Sequence, residues 1–187
     1  MLTTTIKIGI WNAWIFMSVF ILQLMVIMFS NKSIRKRSHV PTDFRQTLME
    51  KYIGVVANFV WLLALGYSIF LPLLLGSMWF YIGFFVFTFG ALLLLFATFS
   101  FIITPANELI QIGVYSISRH PMYLATFLIC LGAGIATISF IMIILSVIIF
   151  ICLYYESRVE ERYCYKIYKD LYKEYMDRVP KWLGLPK

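Results

Sequence analysis

A chain of 187 residues that is 61% hydrophobic and only 13% charged, with a mean hydropathy of +0.85, carries too much apolar surface for a water-soluble domain of its size. No charged residue occurs from Tyr52 to Asn107, which excludes a soluble fold and predicts an all-α, polytopic integral membrane protein. The net charge of +7 then reads as membrane-surface and topology charge, not as a nucleic-acid-binding face, which needs a soluble basic surface.

Residues 9–30 read as a first span, since about twenty apolar residues at roughly 1.5 Å each cross a hydrocarbon core of roughly 30 Å. Trp11 and Trp14 stand where interfacial aromatics are expected. Residues 31–51 form a basic loop with Lys32, Arg35, Lys36, Arg37, Arg45 and Lys51 against Asp43 and Glu50, broken by Pro41. Residues 52–75 and 78–103 are a second and a third span. With only Gly76-Ser77 clearly between them, they are expected to form a tight antiparallel pair. Pro72 is expected to kink the second span near its end, and Pro105 to end the third.

Residues 104–121 are a central loop that holds the densest polar cluster, Gly113 to Tyr123, GVYSISRHPMY. Two further apolar helices follow, 122–136 and 138–155, joined near Ala136-Thr137. Gly132-Ala133-Gly134 lies inside the first with no strand before it, so it reads as small-residue helix packing and not as a dinucleotide loop. Composition changes at Glu156: the tail to Lys187 has eight basic and six acidic residues. Tyr168, Leu171, Tyr172 and Tyr175 recur at helical spacing, which predicts an amphipathic interfacial helix ended by Val179-Pro180. The chain thus reads as one membrane domain: three spans over 1–103, then a loop, helical hairpin and tail helix over 104–187. About five spans place every Lys and Arg except Lys7 on one side, a positive-inside pattern with the working face in the cytoplasm. Cys130, Cys152 and Cys164 show no metal-ligand spacing, and no metal is expected.

Pro121 suits the first turn of a helix, where its missing N–H costs nothing, and this puts His120 at the cap with Arg119 just before it. The free N–H groups and partial positive charge of a helix start favour an anionic group there. Snorkelling of Arg119 to lipid phosphate is the alternative. Glu160 and Glu161, at the far end of the hairpin, are costly at a membrane helix base unless they find partners or water. Glu156 and Glu160, four apart, share a helix face.

Gly113-x-Tyr115, then four residues, His120-Pro121-x-Tyr123, a helical hairpin and Glu160-Glu161 resemble the isoprenylcysteine carboxyl methyltransferase and phospholipid methyltransferase group of integral membrane enzymes. The ending Tyr172-x-x-Tyr175-x-x-Arg178-Val179-Pro180 extends the resemblance, which runs from Asn107 to Pro180. It implies a methyltransferase using S-adenosyl-L-methionine without a Rossmann domain, acting on a small-molecule or lipid acceptor among membrane lipids. Carried over by position, Asn107, Glu108, Leu109 and Ile110 line the cofactor. Tyr115, His120, Pro121, Met122 and Tyr123 bind it, and Glu160 holds its amino group. Arg119 and Glu161 are supports at the catalytic centre. Three positions depart from the family. Asn107 stands where His is frequent, and Lys169 where Gly is usual. Glu156 occupies a place where carboxyl-methylating members often carry Arg; a glutamate there would repel a carboxylate and favours an amine or thiol acceptor. Two rival readings are an NADPH-dependent membrane reductase resembling the sterol reductases, which tend to carry an acidic or amide residue where Leu124-Ala125-Thr126 stand, and a non-catalytic membrane scaffold.

Overall fold

The computed structural model describes residues 7–37, 44 and 46–184, and all its regular elements are helical. Pro41, Asp43 and Arg45 of the basic loop lie outside the described residues. Seven α-helices follow one another: α1 Trp14–Phe29, α2 Lys32–Arg37, α3 Leu48–Ser68, α4 Met78–Ile103, α5 Pro121–Ala136, α6 Phe140–Tyr168 and α7 Asp170–Arg178. By length and composition α3, α4 and α6 can each cross a membrane, while α1 and α5 are shorter apolar helices. At 16 residues each, these two are about 24 Å long, a little under a hydrocarbon core. Large apolar side chains such as Phe29, Phe59, Phe85 and Phe140 point outward, as they do only where the solvent is lipid. The protein is an integral membrane protein.

The first two spans differ from their expected bounds for identifiable reasons. Helix α1 begins at Trp14 because the residues before it are tied elsewhere. The buried Asn12 amide donates to the carbonyls of Lys7 (2.6 Å) and Ile69 (2.7 Å), and Asn12 bridges Pro72. Helix α3 starts earlier than residue 52. Thr47 accepts a hydrogen bond from the Glu50 N–H, and Glu50 accepts one from the Thr47 N–H, a capping box written in the sequence as Thr-x-x-Glu. It stops at Ser68 and not at residue 75. A proline ring clashes with the carbonyl four residues before it, and for Pro72 that residue is Ser68. Pro72 therefore ends the helix early instead of kinking it, and residues 69–77 are non-helical.

The tight α3–α4 pair does not form. Helix α4 packs along α5, α5 along α6, and α6 along α3, with α1 touching α3, α4 and α5. Glycine sets the closest of these contacts. A Cβ at Gly83 of α4 would run into the Ala136 backbone, and one at Gly132 of α5 would stand 2.6 Å from the Phe87 nitrogen. The small-residue reading of Gly132-Ala133-Gly134 holds: Gly132 packs on Gly83 and Phe87 of α4, and Gly134 on Ile143 of α6. Phe16, Met17, Leu93, Leu94, Ile129, Met142 and Ile149 fill the shared core.

The composition change at Glu156 does not end a helix. Helix α6 runs 29 residues from its Ser139 cap to Tyr168, so its charged last third is a rigid continuation of a span. Its junction with α7 is Lys169, at φ +48° and ψ −120°. Helix α7 is amphipathic, and its buried face is Tyr172 and Tyr175; together with Val179 they pack on Leu109, Cys164 and Tyr168.

Candidate active site

The α5–α6 hairpin places the start of α5 beside the extended end of α6, and the conserved geometry of an α-helix does the rest: Glu160 and Glu161 project toward the α5 cap. His120 is that cap, with Pro121 at the first helical position, and no side chain caps the α5 N–H groups. The His120 ring is buried and turns both nitrogens to carboxylates. Its Nε2 is 3.2 Å from Glu161 Oε1 and its Nδ1 is 3.5 Å from Glu160 Oε2. Tyr123, one turn into α5, donates its hydroxyl to Glu160 and stacks on the imidazole at 5.5 Å.

The two carboxylates are not equivalent. Glu161 is 18% exposed and satisfied on every side, by Arg119 Nη1 at 3.3 Å, His120, and Lys181 Nζ at 3.2 Å. Glu160 is 39% exposed and keeps accepting capacity beyond Tyr123 and His120. Burial alone would lower the His120 pKa, but the hydrogen bonds and charges of Glu160 and Glu161 outweigh it and hold the pKa above 6.5. An imidazolium, with two donors and no acceptor, is the form that satisfies both carboxylates.

The remaining expected site residues fall into three groups. Tyr115 sits in a 3₁₀ turn, Gly113–Ser116, with its ring buried and its phenol pKa pushed well up by burial and by the nearby Glu160 charge, so it stays protonated. Gly113 makes this turn possible: its φ is +60°, and a Cβ would collide with Ser100 Oγ. Met122 is half-buried, and its sulfur accepts from Gln23 of α1 at 3.8 Å. The segment Asn107–Ile110 is more mixed. Asn107 and Glu108 are exposed, Ile110 is half-buried, and Leu109 packs into the tyrosine cluster of α7. Glu156 stands one turn back along α6 from Glu160, where its Oε1 is 3.7 Å from the position of a Cβ on Gly54 of α3. It therefore faces the α3–α6 seam, and it makes no hydrogen bond or ion pair among the described residues.

Residues that no sequence pattern singles out complete the arrangement. After α7 the chain turns back: Arg119 N–H donates to Pro180 O at 3.1 Å, and Gly184 N–H to Ile117 O at 3.2 Å. This return delivers Lys181 to Glu161 and Trp182 to His120, Phe150 and Tyr154. Nothing in the local pattern after Val179-Pro180 announces it. Arg37, read only as a topology charge, reaches the last turn of α4. An apolar depression lined by Met78, Tyr81, Ile82 and Phe85 lies toward the other end of α4.

An all-helical membrane protein with a buried histidine between paired carboxylates at one end of its bundle is the class that fold and site define. Residues 71–171, more than half of the chain and including α4, α5 and the acidic turn of α6, match the phospholipid methyltransferase family model. The chain belongs to that family and is a membrane methyltransferase. No curated protein matches it.

Proposed function

We propose that the protein transfers a methyl group from S-adenosyl-L-methionine to a small or lipidic acceptor at the cytoplasmic membrane face. The observation that carries this reading is the difference between the two carboxylates around His120. Glu161 is locked by three cations, whereas Glu160 is half-exposed and fixed in direction by Tyr123 and His120.

The donor set fits the cofactor. Glu160 suits its ammonium, and the uncapped N–H groups at the start of α5 suit its carboxylate. The rings of Tyr115 and Tyr123 suit a sulfonium as they suit other cations. When bound, S-adenosyl-L-methionine supplies an activated methyl carbon. Methyl transfer needs alignment and exclusion of water more than a strong acid or base, and the chain is built accordingly. His120 holds a proton between two carboxylates and so orients Glu160 instead of acting as a base. Arg119 and Lys181 fix Glu161, which in turn fixes His120. Trp182, Phe150 and Phe127 form an aromatic wall that keeps water from one flank. Asn107 to Ile110 complete the cofactor side. Glu156, in the α3–α6 seam with no ion pair of its own, is the group an acceptor from the bilayer meets.

The test uses the full-length protein in lipid nanodiscs. S-adenosylhomocysteine should raise its melting temperature in a concentration-dependent way and NADP should not. Labelled S-adenosyl-L-methionine incubated with lipid extracts should then transfer label to a lipid-soluble product. Stabilisation by NADP alone would point to the reductase reading, and stabilisation by neither to a scaffold.

A further inference from the structure

Arg37 is the last residue of α2, outside the matched family region, yet it binds inside it. The reason begins with Pro105. The last carbonyls of an α-helix lack partners, and the Phe101 carbonyl would ordinarily accept from the N–H of residue 105, which proline does not have. Arg37 supplies the missing donor. Its Nη2 donates to Phe101 O and to Thr104 O at 3.2 Å, and its Nη1 to Pro105 O at 2.8 Å, with a longer contact to Glu108 O at 3.4 Å. The guanidinium also lies 4.7 Å above the Phe101 ring. The Glu108 carbonyl is gripped a second time, by the Tyr168 hydroxyl at 3.2 Å from the end of α6. One planar fork therefore sets the direction in which the chain leaves α4, over the residues that lead into Asn107–Ile110. A lysine carries the same charge but presents a compact point with no fixed fork, and cannot span these carbonyls in one plane.

We propose that Arg37 is a positioning residue for the cofactor: by fixing Phe101–Glu108 it sets the course of the Asn107–Ile110 segment, so that a helix of the N-terminal third governs affinity for the S-adenosyl group. This rests on the reading of the preceding subsection that the segment lines S-adenosyl-L-methionine. Among the described residues Arg37 donates its hydrogen bonds to backbone carbonyls alone and otherwise rests on the Phe101 ring, and its effect is on binding and not on the transfer step.

The experiment measures S-adenosylhomocysteine affinity by calorimetry in nanodiscs, for the unaltered protein and for Arg37→Lys, Arg37→Ala and Lys32→Ala. Lys32 is an exposed cation on the same helix and controls for loss of charge. Arg37→Lys should weaken binding about tenfold or more, the size expected when a charged donor is lost from several carbonyls. Lys32→Ala should leave binding unchanged. Low, non-denaturing guanidinium should restore affinity to Arg37→Ala where ammonium at equal ionic strength does not, a rescue that a general fold defect would not show. Binding by Arg37→Lys as tight as that of the unaltered protein, an equal loss in Lys32→Ala, or no rescue by guanidinium would each overturn the inference while leaving the methyltransferase reading intact. Absence of binding by the unaltered protein would overturn that reading, and this inference with it.

Discussion

His120 and Glu161 stand 41 positions apart in the chain and 3.2 Å apart in space, Nε2 to Oε1. One caps α5 and the other lies in the charged continuation of α6, so their contact closes the mouth of the hairpin. Because Glu161 also holds Arg119 and Lys181, it is the anion around which the end of the bundle is ordered. Glu160, its neighbour in sequence, is left to face outward.

That asymmetry predicts opposite consequences for two neighbouring substitutions. Glu160→Gln should lower S-adenosylhomocysteine affinity by roughly 1.5–3 kcal/mol, about ten- to more than a hundredfold, since the proposed charge-assisted bond to ligand is lost, and should lower the melting temperature less than Glu161→Gln does. Glu161→Gln should lower the melting temperature first, because it leaves three cations short of their counter-charge. Calorimetry and thermal melting on both variants check this. A larger affinity loss in Glu161→Gln than in Glu160→Gln would reverse the assignment.

The imidazolium of His120 gives the protein a pH signature. Its folded pKa is raised above the ordinary 6.5, with burial opposing the shift and Glu160 and Glu161 prevailing. A raised folded pKa means that the stabilisation is fully present below about 6.5 and is lost as pH rises through the higher folded value. The melting temperature of the unaltered protein should therefore fall across that alkaline window, and His120→Asn should flatten the fall. An identical pH profile in the variant would mean that the ring is neutral when folded.

Much of this end of the molecule is legible in the sequence. Pro121 fixes the start of α5 through the tolerance of a first turn for proline, and Pro105 fixes the end of α4. What local pattern does not carry is which helices meet. The uncharged run from Tyr52 to Asn107 shows two spans but not that α4 turns to α5 and α3 to α6, because lipid-facing and protein-facing apolar residues look alike. Gly83 and Gly90, seven apart on α4 and each too crowded for a Cβ, were the available signal. Glu156 looked like a boundary because charge usually marks one, but a helix leaving the membrane can carry its hydrogen-bond ladder straight into water. Arg37 and Lys181 act across the chain on backbone carbonyls and a distant carboxylate, and spacing alone cannot reveal such partners.

Lys169, the junction of α6 and α7, is a non-glycine residue at positive φ. At φ +48° and ψ −120° it occupies a region that favours glycine. A side chain held in so sparsely populated a region costs on the order of 1–3 kcal/mol, partly offset by the extra unfolded-state freedom of glycine, about 0.5–1 kcal/mol. Lys169→Gly should thus raise stability slightly, whereas Lys173→Gly, a few residues on within α7, should lower it by about 1 kcal/mol. Parallel melting curves check the contrast. A loss in both variants would show that no strain is relieved at Lys169.

Residues 33 and 181 lie at the same end of the bundle, since α2 reaches the end of α4 through Arg37 and Lys181 reaches Glu161. Single cysteines at Ser33 and Lys181, in a background without Cys130, Cys152 and Cys164, should be labelled from the same side of sealed vesicles, the side that the proposed positive-inside topology assigns to the cytoplasm. Labelling from opposite sides would break the proposed topology and the site with it.

On the proposed reading, Glu156 separates acceptor choice from cofactor binding. It lies one turn back along α6 from Glu160, beside Gly54 of α3, so on the proposed reading an acceptor entering from the bilayer through that seam meets Glu156 before it reaches the methyl group. A Cβ at position 54 would stand in ordinary van der Waals contact with this carboxylate, and a longer side chain would extend from there into the seam. In its ionised form the Glu156 carboxylate would favour an amine or a thiol and repel a carboxylate. Glu156→Gln should therefore change relative rates among amine, thiol and carboxylate acceptors presented in vesicles, with S-adenosylhomocysteine affinity nearly unchanged. Glu156→Arg should depress the native reaction and admit carboxylates, and Gly54→Leu should slow all acceptors together by blocking entry. If Glu156→Gln instead abolishes cofactor binding while Glu160→Gln spares it, the cofactor lies on the α3 side of α6, and the acceptor must approach past Trp182.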